Sequence, residues 1–158
     1  MLKDRLWNEL QEGYRQFLLS YPYEIMVTIH FGKMRFREET ANKVLKQFMT
    51  KVAKYSKTQI ACIGIYNILK SPHAHLLIFG KKGTLRSLLK KDIDKLWRYG
   101  SVHINPNTDE GAAFYVATNV TPHLQDRYEL FFYNLRMLKK HRMEMFGNGK
   151  RFHSTQCS

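Results

Sequence analysis

The sequence predicts an α+β fold built on a β-α-β-β-α-β unit, the ferredoxin-like pattern, with one helix before it and further helices after it. Three observations carry that reading. One clean amphipathic stripe separates two apolar, β-branched runs. A third such run follows the second after only a short proline-containing turn. A second amphipathic stripe then leads to a short fourth run. In this topology strands one and three form the central, adjacent pair of an antiparallel sheet. Both helices cover one face, and the opposite face is left for a site or for the terminal helices.

The elements follow in order. Residues 2–19 place Leu2, Leu6, Trp7, Leu10, Tyr14, Phe17 and Leu18 at helical spacing, and Pro22 closes the helix because proline cannot continue its ladder. Residues 24–31 (EIMVTIHF) read as strand one. Residues 38–55 are the cleanest helix, with Ala41, Val44, Leu45, Phe48, Val52 and Tyr55 on one stripe and lysines mostly outside it. Residues 59–68 (QIACIGIYNI) and 73–79 (HAHLLIF) read as strands two and three, joined by a turn at Lys70-Ser71-Pro72. Thr84 caps an expected helix through Tyr99, with stripe Leu85, Leu88, Leu89, Ile93, Leu96 and Trp97, and Gly100 stops it. Residues 101–105 (SVHIN) form a short fourth strand. A helix opens at Thr108 or Asp109 and runs to Asn119, and residues 124–146 read as one long basic helix.

The 158 residues fit a single domain, divided into an N-terminal helix (1–22), a core (23–120) and a basic C-terminal helix and tail (121–158). At 44% hydrophobic, the chain can bury a real core. No apolar run is long enough to span a bilayer, and the first residues lack the apolar stretch of a secretory signal, so a cytoplasmic protein with no membrane partner is expected. Cys62 reads as a small core residue and Cys157 as an exposed one, with no pairing that suggests a disulfide or a cysteine metal site. Lys and Arg number 26 against 13 acidic residues, a net charge of +13. That field attracts polyanions, among which nucleic acid is the commonest partner; a solubility device or a surface for anionic lipid are the blander readings.

His73 and His75 flank Ala74 on an expected strand. Alternation sends both imidazoles to the same face. Two neutral imidazoles so placed can chelate one divalent ion, and polar rings opening an otherwise apolar strand need a reason to be there. Taken alone, a pair of half-exposed histidines at a strand edge is the commoner explanation of such a motif.

Here a family resemblance becomes specific. His73-Ala74-His75-Leu76-Leu77-Ile78 resembles the HUH motif. Met26-Val27-Thr28-Ile29-His30-Phe31 resembles the strand-one motif of rolling-circle replication initiators. Leu96-Trp97-Arg98-Tyr99-Gly100, the SVHIN run and Gly111-Ala112-Ala113-Phe114-Tyr115-Val116-Ala117 together resemble the stretch leading to their catalytic tyrosine. The three motifs stand in the family's order over roughly residues 24–120. The resemblance implies the HUH endonuclease fold and a metal-dependent enzyme that nicks single-stranded DNA and transfers the strand. It implies Tyr115 as nucleophile, forming a 5′-phosphotyrosyl link, His73 and His75 as metal ligands, and Mn2+ or Mg2+ as the ion. The substrate would be a replication origin or hairpin of a plasmid, phage or virus. A second copy of the chain and a host replication helicase are further candidate partners.

Tyr115 falls on a different face from the stripe Ala113, Val116, Ala117 and Val120, so the phenol can meet the uncovered sheet face while the small residues pack. A packing tyrosine is the alternative. Asn119 would hold a phosphate or position the phenol.

The sequence departs from the family in three places. Thr118 and Asn119 stand where many relatives carry a lysine after the tyrosine, so one nucleophile and no such lysine are expected. Strand two contains no Asp or Glu, where relatives often supply a third ligand; Asn67 is the substitute by position, and His30 on the neighbouring central strand is the other candidate. The chain has the size of the nuclease module without the helicase domain many initiators carry. Phosphate contacts are expected from Lys33, Arg35, Arg37, Lys81, Lys82, Arg86, Lys139, Lys140 and Arg142. Tyr128, Phe132 and Tyr133 are candidates for stacking on bases, while helix packing accounts for Phe131, Leu135 and Leu138. Competing functions are a single-tyrosine HUH transposase and a non-catalytic domain, either a degenerate HUH domain or an RNA-recognition-like one.

Overall fold

The structure, a computed structural model, describes residues 5, 9, 12–13, 16, 19–68, 71–88, 90–105 and 129–146. Five strands form one sheet: β1 (Ile25–His30), β2 (Ile60–Asn67), β3 (His73–Gly80), β4 (Val102–Asn105) and β5 (Glu129–Tyr133). Their order is β4-β1-β3-β2-β5, antiparallel at every pairing. Among the described residues, three helices with defined bounds accompany them, α1 (Glu38–Ser56), α2 (Lys90–Asp94) and α3 (Leu135–Phe146). The fold is α+β, with the four-strand order of the ferredoxin-like pattern extended by β5, and β1 and β3 are its central pair.

Alternation along the strands sorts the side chains between two cores. On one face, Ile25, Val27 and Ile29 of β1 and Ala74, Leu76 and Ile78 of β3 pack with Val44, Leu45, Phe48 and Val52 of α1. Fully burying each of the larger side chains stabilises the fold by about 1.5–3 kcal/mol, which is what holds α1 in place. Glu38 and Glu39 favour its positive N-terminal end. Lys57, at φ 53, ends it by turning left-handed and returning its N–H to Ala53. Cys62 is buried in this core.

On the opposite face, Ala61, Ile63 and Ile65 of β2 and Leu77 and Phe79 of β3 meet Tyr21, Tyr23 and Leu138. Here α3 and the segment before β1 lie across the sheet, and His141 Nε2 reaches the Ser20 carbonyl at 3.1 Å. Leu77 and Phe79 place this cluster toward the Gly80 end of β3. Beside it, buried Glu24 accepts the Gly80 N–H at 2.6 Å and the Leu85 N–H at 3.0 Å, tying β1, β3 and the following turn together.

Two expected helices take other forms. The one expected from Thr84 to Tyr99 is a single 3-10 turn at Leu85–Ser87, an extended Leu88 and the short α2. Of its apolar stripe Leu85, Ile93 and Trp97 are buried and Leu88 and Leu96 half-buried, but tertiary contacts set the backbone. Trp97 sinks into the core and donates from Nε1 to the His30 carbonyl at 2.8 Å. Gly100 is therefore not a helix cap. A Cβ there would collide with the His30 carbonyl oxygen, and one on Gly32 (φ +63) would collide with the Tyr99 carbonyl oxygen. The two glycines let the end of β1 cross the approach to β4.

The long helix expected over residues 124–146 is, from Glu129, strand β5 followed by α3. Phe131 is fully buried against α1's core in register with Gly64, and Leu130 and Phe132 face the other way. Asn134, at φ 60, makes the corner: Nδ2 donates to the Ile60 carbonyl at 3.0 Å, and Oδ1 caps α3 by accepting the Met137 N–H at 3.1 Å. Arg5, Glu9, Glu12, Gly13, Gln16 and Leu19 are helical, in line with the expected first helix. The helix expected to end at Asn119, and Cys157, lie outside the described residues.

Candidate functional site

Register builds the site. His73 of β3 stands opposite His30 of β1 and Asn67 of β2. One row further, His75 stands opposite Thr28 of β1 and Ile65 of β2, and Thr28 stands opposite His103 of β4. Directly paired residues share a face, so these side chains lie on the face of the sheet that carries α3, toward the His73 end of β3. The neighbours that alternate with them, Ile29 and Ala74, are buried on the α1 side.

The His73 and His75 rings lie 4.9 Å apart, edge to face, and His73 stacks on His30 at 5.9 Å. His73 Nδ1 lies 2.6 Å from the Ser71 carbonyl oxygen. A carbonyl only accepts, so Nδ1 carries the proton and Nε2 is the nitrogen suited to a ligand. His75 Nδ1 lies 3.0 Å from Thr28 Oγ1. In the tautomer that serves a metal, this N–H donates to the hydroxyl and His75 also presents Nε2. His75 is only 6% exposed. Burial, with smaller contributions from the charges of His73 and His30, pushes its pKa down to about 4, so it is neutral at physiological pH. Neutral imidazole is the form that binds metal.

The sequence-derived site residues divide as follows. His73 and His75 come together as expected. Asn67 is buried in the row of His73 and so sits on the side of the pair where a third ligand was sought. His30 is exposed and its ring lies flat along His73. Among the described residues, no three His, Cys, Asp or Glu side chains are grouped to hold an ion. His30, as placed, therefore does not complete a three-histidine set. Tyr115 and Asn119 lie outside the described residues.

The cations separate into two groups. Lys33, Arg35 and Arg37 are exposed just after β1, at the histidine end of the sheet. Lys81, Lys82 and Arg86 are exposed beyond the far end of β3, and Lys139, Lys140 and Arg142 are exposed on α3. Lys82 turns back to the Lys57 carbonyl at 3.1 Å. The stacking residues expected near the C-terminus are committed elsewhere: Tyr133 meets Thr50 through its hydroxyl, and Phe132 packs against the second core. Tyr128 lies outside the described residues.

Two residues escaped the sequence reading, Thr28 and His103. Both sit on strands already identified, and only the register sets Thr28 beside His75 and His103 beside Thr28.

The family model of the replication-associated protein ORF2 type matches residues 24–123, more than half of the chain and the stretch that carries the three motifs. No curated protein and no solved structure matches. No helix among the described residues is long and apolar enough to cross a membrane.

Proposed function

The chain belongs to the replication-associated protein ORF2 family, and we propose that it is a metal-dependent endonuclease that nicks single-stranded DNA to start rolling-circle replication. The observation that carries this reading is the histidine pair: two imidazoles side by side on one face of the sheet, one of them buried and neutral. A divalent ion such as Mn2+ or Mg2+ would take two donors from the pair, with Asn67, which stands in the row of His73, as the third ligand. When bound, the ion withdraws charge from the scissile phosphate, which a weak nucleophile such as a phenol requires.

The protein's own groups do the rest. His73 and His75 would hold the ion through Nε2, and burial keeps His75 neutral for that role. The Tyr115 phenol oxygen attacks phosphorus and displaces the 3′ oxygen. One O–P bond forms as another breaks, the phosphate remains on tyrosine through its 5′ side, and the phenolic proton ends on the released 3′-hydroxyl. Attack by a 3′-hydroxyl later reverses the step and rejoins the strand. Asn119 steadies the phosphate or the phenol, and Lys33, Arg35 and Arg37 bind backbone phosphates at the histidine end.

Labelled single-stranded oligonucleotides incubated with the protein and Mn2+ test this. A denaturant-resistant protein–DNA adduct is expected, lost in Tyr115→Phe while DNA binding persists. An adduct that survives in Tyr115→Phe contradicts the assignment of the nucleophile. The absence of a third acidic or histidine ligand among the described residues favours one second reading, a domain that binds DNA without cutting it. It predicts binding with no adduct from the unaltered protein.

A further inference from the structure

The fold brings two basic segments, far apart in the chain, to one groove. Lys81 leaves the end of β3, while Arg136 and Lys140 sit one turn apart on α3. They line a cleft of about 710 Å³ with His141, above a floor that includes Phe79. The volume lies within the range of clefts that take a nucleotide-sized ligand. The wall is fixed by the Asn134 corner and by Leu138, which buries itself in the second core. Glu144 is the one carboxylate in the lining among the described residues. Among those residues none of Lys81, Arg136 and Lys140 forms an ion pair; the pairs there join Arg5 to Glu9 and Lys90 to Asp94. Three cations that pair with no carboxylate among the described residues, set around one concave surface, raise a positive potential that suits a polyanion.

We propose that this groove is a second phosphate-binding site, which holds the single strand of DNA flanking the position of cleavage. The inference rests on the reading of the chain as a nickase, and it adds a site that the histidine chemistry does not need. Phe79 and the histidines alternate along β3 on the same face. The strand's eight residues separate its two ends by about 23 Å at ~3.3 Å per residue. A bound strand would therefore leave the histidine pair, pass over the Tyr21 and Tyr23 segment that covers Leu77, and lie against Lys81, Arg136 and Lys140. The groove would hold the DNA while the histidine end cuts it.

Binding of a fluorescently labelled single strand, measured by anisotropy over a salt series, tests the proposal. Each single-strand phosphate contact contributes about 0.7 to the slope of log affinity against log salt. Arg136→Gln/Lys140→Gln is expected to lower that slope by about 1.4 and to weaken low-salt binding roughly tenfold. Lys81→Gln alone should lower the slope by about 0.7. Lys43→Gln/Lys46→Gln removes the same charge from the exposed side of α1 and should change affinity less than about twofold, as loss of a long-range field alone would. The groove proposal is overturned if its double variant keeps the parental slope, or if the two double variants weaken binding equally. Adduct formation by the unaltered protein separates the two failures: with an adduct and an unchanged slope, only the groove falls. With neither strand binding nor adduct, both readings fall.

Discussion

Replacing Thr28 with valine keeps the shape of the side chain and removes one hydroxyl, the group 3.0 Å from His75 Nδ1. Two losses follow, and they differ in size. The buried ring nitrogen loses this partner, which costs the metal-free protein about 1–2 kcal/mol of stability. The tautomer that places the lone pair on Nε2 also loses its support, and removing such an outer hydrogen bond typically weakens metal binding by about 10- to 100-fold. In free energy the second effect is about 1.4–2.7 kcal/mol. Titration with Mn2+, reading free ion by its electron paramagnetic resonance signal, measures it directly, and urea unfolding measures the first. Thr28→Ser, which restores an oxygen at the same place, should recover most of the affinity. Parental Mn2+ affinity in Thr28→Val, or failure of Thr28→Ser to recover it, would refute the argument that this hydroxyl orients His75.

Acid should destabilise the metal-free protein. The folded pKa of His75 lies near 4, against 6.5 for the free side chain, so the unfolded chain binds the extra proton first. Stability is therefore fully present above pH 6.5 and falls as pH drops toward 4, by about 3 kcal/mol in the limit of that shift; denaturant melts across this window check it, and His75→Gln should flatten the fall. Gly100→Ala drives a methyl into the His30 carbonyl and should cost about 1–3 kcal/mol or more, seen as a lowered urea midpoint with unchanged slope. Parental stability there would mean that β1 and the approach to β4 do not cross closely. Glu24→Ala strips one buried and one half-buried backbone N–H of their acceptor and should cost about 2–3 kcal/mol by the same measurement.

The histidine pair was legible because strand alternation alone puts His73 and His75 on one side, whatever the strand's neighbours are. The strands around it and α1 were legible for the same reason: their patterns have one period and end at Pro22, the Lys70-Ser71-Pro72 turn and similar breaks. What pairwise register decides was not legible. Thr28 and His103 looked like ordinary strand residues until β1 was set beside β3 and β4. The depressed pKa of His75 depends on burial that no local pattern reports. The missed β5 has a different cause. Phe131, Leu135 and Leu138 fall at helical spacing although a left-handed Asn134 divides them between a strand and a helix. In residues 84–99 the apolar stripe was right and the backbone was not, because Trp97 and the Gly32–Gly100 crossing fix the chain path more strongly than helix propensity does.

Anomalous scattering from a crystal of the protein soaked in Mn2+ tests the central claim most directly. A single peak within bonding distance of Nε2 of both His73 and His75, absent from His73→Ala/His75→Ala crystals soaked alike, is the expected result. A peak elsewhere, or rings turned so that the two nitrogens diverge in the presence of the ion, would contradict it.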